Sequence, residues 1–177
     1  NRIPKNIIWI GRLSEEKGLE ILIDAFQGID KKKYNLNIIG DGPLKKKIEA
    51  KIKNYGLKNK IKLLGFKENI FPYLKKSDLL INTSFFEGFP NVVVEALSQS
   101  IPVICSKSNG GIYEILKNES YGDLFDINKP KNLVLKINKF LNNPSRLRKK
   151  ASMSKRHLFK FEKKRSAKIY EKIFNSL

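Results

Sequence analysis

Cysteine and histidine each occur once in this chain, as Cys105 and His157. A single cysteine excludes an intrachain disulfide and makes a reducing compartment the simplest assumption. The same inventory argues against a Cys/His metal cluster, a Ser-His-Asp triad and a Cys-His pair at Cys105. Long apolar runs are lacking as well. None approaches the roughly 18 residues at which a membrane span becomes a candidate, and no charged-then-apolar signal segment opens the chain. Acids are scarce: 17 Asp and Glu face 36 Lys and Arg, for a formal net charge of +19. Two phosphate-binding glycine patterns are missing too. In Gly40-Asp41-Gly42-Pro43 the third glycine of a G-x-G-x-x-G fingerprint is replaced by Lys45, the motif follows a second strand, not a first, and no P-loop pattern occurs. A tight turn with Pro43 at the first helical position is the role expected there.

What is present suits one globular domain. The chain has 177 residues, 41% of them apolar, enough for one substantial core. It begins at Asn1, and a buried-looking strand follows almost at once, so a domain excised from a longer protein is the expectation. The positive charge has two readings. One is attraction to an anion such as nucleic acid, acidic lipid or a phosphorylated substrate. The other is compositional: Lys, Asn and Ile abound, as an AT-rich coding sequence would produce.

Short apolar runs alternate with amphipathic stretches. Strands are expected at Asn6 to Gly11, Asn35 to Gly40, Lys60 to Phe66, Asp78 to Thr83, Pro102 to Ser106 and near Asp123 to Asp126. Helices are expected at Glu15 to Ile29, Leu44 to Tyr55, Ile70 to Lys76, Asn91 to Gln99 and, as a turn, Gly111 to Leu116. Gly56 is placed to end the second of these in a left-handed conformation. From Pro130 the chain reads as helix in three pieces, broken near Pro144 and Ser154. This alternation implies a doubly wound α/β sheet of parallel strands, a Rossmann-like single domain with an α/β core to about residue 142 and extra helices beyond it. Ligands of such sheets sit outside the carboxyl ends of the strands, so the residues just after each strand are the candidates.

After the first strand, Gly11 lets backbone approach a ligand, Arg12 offers a planar fork of donors, and Lys17 adds a point charge. Together they suit a diphosphate; a turn leading into a Lys-bearing helix is the plainer reading. The fourth strand ends in Thr83-Ser84-Phe85-Phe86-Glu87-Gly88-Phe89-Pro90-Asn91, with Glu95 one to two turns into the helix that follows. A helix N-terminus can receive a phosphate. Two carboxylates beside an anion make sense if they accept hydrogen bonds from hydroxyls, as in sugar and ribose. The plainer reading places Glu87 in a solvated loop and Glu95 on a helix surface, although an unpartnered carboxylate within an apolar stretch is costly to bury.

Four segments in order resemble the C-terminal domain of the retaining glycosyltransferases of the GT-B fold, in glycosyltransferase family four. They are G-R-L-x-x-x-K-G (Gly11 to Gly18), a glutamate pair separated by seven residues (Glu87 and Glu95), a P-V-I strand (Pro102 to Ile104) and a G-G-x-x-E loop (Gly110, Gly111, Glu114). The resemblance covers Ile7 to about Leu141 and implies a nucleoside-diphosphate-sugar donor, no cofactor and no metal. It assigns Arg12 and Lys17 to the diphosphate and the leaving nucleotide, Glu87 to the donor sugar, and Glu95 to the ribose hydroxyls. Backbone amides of Gly88, Phe89, Asn91 and Val92 would face the phosphates, and Phe66 and Lys67 would border the base. The implied role is donor binding in a glycosyltransferase of cell-surface glycan or polysaccharide synthesis, with an N-terminal acceptor domain outside this chain. One departure stands out. Ser100 occupies a position where the family often has Gly, which costs local strain or alters the turn.

The tail from Arg146 to Arg165 carries ten cations against Glu162 alone. It reads either as a docking surface for anionic lipid at the inner face of the plasma membrane, on a cytoplasmic protein, or as a helix packing on the absent domain. Packing is the favoured reading, with Leu158, Phe159, Phe161, Ile169, Tyr170, Ile173 and Phe174 as its apolar side. Two other functions compete. A sugar-nucleotide epimerase of the same architecture shares the donor site but does not account for the G-R-L-x-x-x-K-G segment with its glutamate pair. A basic nucleic-acid-binding module accounts for the charge, but the aromatics are not spaced as stacking platforms, so no nucleic-acid partner is expected.

Overall fold

The computed structural model describes residues 6–29 and 34–161. Six parallel strands form one sheet: β1 (Asn6–Ile10), β2 (Asn35–Ile39), β3 (Ile61–Leu63), β4 (Leu79–Asn82), β5 (Val103–Ser106) and β6 (Asp123–Phe125). Their spatial order is β3-β2-β1-β4-β5-β6. The chain winds outward from β1 in one direction and then returns to lay β4 on its other side. The switch point therefore lies between β1 and β4, where a doubly wound sheet opens its ligand crevice.

Alternation along the strands explains why both faces are covered. Ile7 and Trp9 of β1 point to one side, with Leu36, Ile38 and Ile81, against α1 (Leu19–Phe26), α2 (Lys45–Asn54) and α6 (Pro130–Asn142). Ile8 points to the other, with Ile39, Leu80, Val103 and Cys105, against α3 (Phe71–Lys75), α4 (Asn91–Ser98) and α5 (Ile112–Leu116). Burial of β1 on both faces is what a continuous apolar run at the centre of a parallel sheet requires. Cys105 is fully buried, and desolvation pushes its thiol far above the ordinary range, so it is no nucleophile.

Three expectations are corrected in detail. The helix expected from Glu15 is broken: Glu15–Lys17 form a 3-10 turn, Gly18 turns left-handed at φ +59°, and α1 starts at Leu19. The third strand shrinks to Ile61–Leu63, because Gly65 at φ +70° swings the chain away. Pro43 stands in the turn ahead of α2, which begins only at Lys45. Gly56 does close α2 at φ +64°, and Ser100 does occupy the left-handed region at φ +58°, so the departure from Gly is expressed as strain.

The tail helices α7 (Ser145–Met153) and α8 (Lys155–Leu158) dock on this domain's own core, burying Leu147, Ala151 and Leu158. Their cations reach acids far back in the sequence. Arg146 and Lys150 both bond Asp123, Arg148 lies 3.6 Å from Asp78, and Lys160 lies 3.0 Å from Glu114. Burial alone would raise the Asp123 carboxyl, but the hydrogen bonds from Arg146 and Lys150 outweigh it and hold the group below its ordinary value. Four of the tail's cations thus fasten it to the α/β core. Residues 162–177, with Ile169, Tyr170, Ile173 and Phe174, lie outside the described part. Among the described residues no helix is long and apolar enough to cross a membrane.

Candidate functional site

The loops after β1 and β4 flank the switch point and are stitched together. The Thr83 hydroxyl donates to the Lys17 carbonyl at 2.8 Å and accepts from the Trp9 indole at 3.0 Å. The Phe85 N–H donates to the Glu16 carbonyl at 2.8 Å. Gly18 makes this contact possible: a Cβ there would lie 2.2 Å from the Thr83 carbonyl oxygen. The last glycine of G-R-L-x-x-x-K-G is therefore needed for its positive φ and for the close approach of a second loop.

On that frame the Lys17 ammonium meets the Glu87 carboxylate, 2.8 Å from Oε1 and 2.7 Å from Oε2. The Ser84 hydroxyl donates to Glu87 Oε2 at 2.8 Å. Ser84 is itself buried at the end of β4, and its carbonyl accepts from Ser106. From the other side Glu87 is held by its backbone. A Cβ on Gly110 would lie 1.9 Å from the Glu87 carbonyl oxygen, and the Gly111 N–H donates to the Gly88 carbonyl at 2.8 Å. Glu87 is thus oriented at both its carboxylate and its backbone.

Beside this pair a cleft of about 490 Å³ opens at the carboxyl ends of β1 and β2, lined by Ile10, Gly11, Arg12, Gly40, Asp41 and Phe66, with Lys67 at its mouth. Its floor is apolar, and the Phe66 ring is 74% exposed above it. The Arg12 side chain is exposed and makes no hydrogen bond or ion pair with a described residue. Asp41 stays ionised, because a hydrogen bond from Lys45 and another from the Gly42 N–H hold its carboxyl below the ordinary value. The shape admits a flat apolar ring system, and the cationic rim admits an anion.

Glu95 lies in the second turn of α4, half-buried, with no side-chain partner among the described residues. Desolvation raises its carboxyl above the ordinary value. A carboxylate kept in such surroundings is suited to accept hydrogen bonds that the protein itself does not supply. Pro90 precedes α4, and the Asn91 N–H is already spent on the Phe89 carbonyl at 3.0 Å. That leaves fewer free amides at this helix start than the sequence suggests.

The structure therefore brings Lys17 together with Glu87, and Gly11 and Arg12 together with Phe66 and Lys67. It places Gly88, Phe89, Asn91 and Val92 along the turn into α4, but Glu95 makes no hydrogen bond or ion pair with the rest. Sequence reasoning missed Thr83 and Ser84. The available signal was Ser84 three residues before Glu87, a spacing at which a hydroxyl and an acid meet in one loop.

A family model described as "Glycosyl transferases group 1" matches residues 2–157. A Campylobacter jejuni enzyme, N-acetylgalactosamine-N,N'-diacetylbacillosaminyl-diphospho-undecaprenol 4-alpha-N-acetylgalactosaminyltransferase, is 31% identical over 96% of this chain and 44% of its own length. Among solved structures, Anabaena HepE in complex with UDP superposes with a TM-score of 0.89 at 26% identity, over 99% of this chain and 50% of that one. HepE in complex with UDP-glucose gives 0.80 at 28% identity, over 88% and 44%. The chain spans less than half the length of the curated relatives it matches.

Proposed function

Since the chain belongs to the glycosyl transferases group 1 family, we propose that it is the donor-binding part of a retaining glycosyltransferase. The donor is a nucleoside-diphosphate sugar, and the acceptor a saccharide or lipid-linked saccharide in cell-surface glycan or polysaccharide synthesis. The observation that carries this reading is the meeting of Lys17 and Glu87 across the β1–β4 switch point, beside a cleft walled by Arg12 and Phe66. The UDP and UDP-glucose complexes of HepE support it.

The base enters the cleft against Phe66 and Lys67, and the diphosphate lies toward Arg12 and Lys17 and the start of α4. As the glycosidic bond breaks, negative charge grows on the departing diphosphate. Arg12 and Lys17 stabilise it without a metal ion, by setting two positive charges beside the leaving group. Glu95 accepts from the ribose hydroxyls and Glu87 from those of the sugar. The acceptor attacks from the face the nucleotide leaves, so configuration is kept and no free-standing base is required of this domain. Acceptor contacts belong to the part of the longer protein not present in this chain, so the domain alone binds donor and transfers nothing.

The protein is cytoplasmic in this reading and touches the inner face of the membrane through its tail. Lys149, Lys155 and Arg156 are solvent-facing beside exposed Met153 and Phe159, a composition suited to an anionic interface.

A thermal-shift panel of nucleoside diphosphates and their sugars tests the donor reading on this chain. Stabilisation that rises with ligand concentration is expected. Salt-dependent binding to DNA with no response to any nucleoside diphosphate overturns it.

A further inference from the structure

The tail reaches the donor loop through one aromatic contact. The Phe161 ring meets the Phe89 ring edge-on, with centroids 5.2 Å apart and planes at 61°. Phe89 follows Glu87 by two residues. It also packs closely on Gly111, where a Cβ would lie 2.7 Å from Phe89 Cδ2. The turn from Glu87 to Phe89 is therefore contacted by both the Gly110–Gly111 backbone and Phe161.

The same stretch of tail also grips the element behind those glycines. His157 Nε2 lies 2.8 Å from the Glu114 carbonyl oxygen, and the Lys160 ammonium lies 3.0 Å from the Glu114 carboxylate. The His157 ring meets Tyr121 at a tilt, centroids 4.9 Å apart, and Phe161 edge-on, centroids 5.6 Å apart. Residues 157–161 thus hold both α5, which the two glycines introduce, and the loop those glycines press upon. Phe161 is only half-buried, which is more than a core cap needs to expose and what a clip over a loop would show.

We propose that Phe161 is a positioning residue for donor-sugar recognition: by seating Phe89 against Gly111 it fixes the backbone from which Glu87 reaches the sugar. The proposal rests on the donor-site reading above. It separates two affinities that a merely structural contact would move together, because Glu87 addresses the sugar and not the bare diphosphate.

The test compares UDP and UDP-glucose binding by calorimetry in the wild type, Phe161→Ala and Phe161→Tyr. Loss of one edge-to-face pair is worth roughly threefold to tenfold. Phe161→Ala is expected to weaken UDP-glucose by that factor without weakening UDP, and to speed hydrogen exchange at the Gly111 amide. Phe161→Tyr is expected to restore the wild-type ratio. Equal weakening of both ligands, or an unchanged ratio with a lowered melting temperature, overturns the proposal. Should Phe161→Ala fail to fold, Phe161→Leu keeps most of the volume and is expected to shift the ratio the same way; an unshifted ratio there overturns it. Where the wild type prefers another nucleoside diphosphate and its sugar in the thermal-shift panel, that pair replaces UDP and UDP-glucose; a wild type that responds to no member of the panel overturns the donor reading, and this proposal with it.

Discussion

Lys17 and Glu87 stand seventy residues apart in sequence, yet the ammonium sits within 2.8 Å of both carboxylate oxygens. The pair is mostly buried, with side chains 23% and 15% exposed. The cation assigned to the diphosphate is thus paired with the acid assigned to the sugar. In the proposed site, donor binding would share Lys17 between the two.

Substitutions separate the two roles. Lys17→Ala is expected to weaken both nucleoside diphosphate and sugar nucleotide by about 1.5–3 kcal/mol, the range for hydrogen bonds to charged groups. Glu87→Gln keeps the shape but releases Lys17, so bare diphosphate is expected to bind more tightly while the sugar nucleotide binds less tightly. Calorimetry on both ligands checks this. Equal loss for both in Glu87→Gln would remove the sugar from its role.

The partnerless, half-buried Glu95 gives a pH dependence. Its folded carboxyl titrates above the ordinary value because of desolvation. In the proposed site an ionised Glu95 accepts from the ribose hydroxyls, so donor affinity is expected to fall on acidification, starting above the usual carboxylate range, and Glu95→Gln removes this contribution. Stability runs the other way. The stabilisation linked to this raised group is complete below the unfolded value and is lost as pH rises through the folded one. Glu95→Gln is therefore expected to melt higher than wild type near pH 7, with the advantage vanishing in acid. Melting curves at several pH values check it.

Ser100 holds a left-handed backbone that an L side chain adopts at a cost. Ser100→Gly is expected to stabilise the domain by about 1 kcal/mol net of the unfolded chain's gain in freedom, roughly 2–4 °C in melting temperature. Donor affinity is expected to stay unchanged. Destabilisation in a melting curve would show that the serine side chain supplies something the strain argument omits.

For the tail, sedimentation with vesicles at low salt is the check. Binding is expected to anionic and not to neutral vesicles, and to weaken when Lys149, Lys155 and Arg156 are replaced by Gln. These three are chosen because Arg146, Arg148, Lys150 and Lys160 already pair with acids earlier in the chain. Equal sedimentation with both vesicle types removes the membrane contact.

Much of this was legible along the chain and some was not, for a physical reason. The apolar run of β1, the turn at Gly56 and the strain at Ser100 are local consequences of side-chain type and backbone freedom, and local pattern reports them. The residues after β1 and β4 were identifiable as a candidate site because parallel strands carry ligands at their carboxyl ends. Their meeting was not, because it depends on β4 lying against β1. Nothing in the local sequence reports that Thr83 bonds the Lys17 carbonyl or that Gly18 must clear Thr83. The tail cations look like a free surface until the strands place Asp78 and Asp123 beneath them.

The most direct measurement is a crystal structure of this chain with a nucleoside diphosphate bound. The account predicts phosphate oxygens within hydrogen-bonding distance of both Arg12 and Lys17, the base against Phe66 and the ribose hydroxyls at Glu95. A diphosphate lodged away from Arg12 and Lys17, or a ribose that does not reach Glu95, would contradict it.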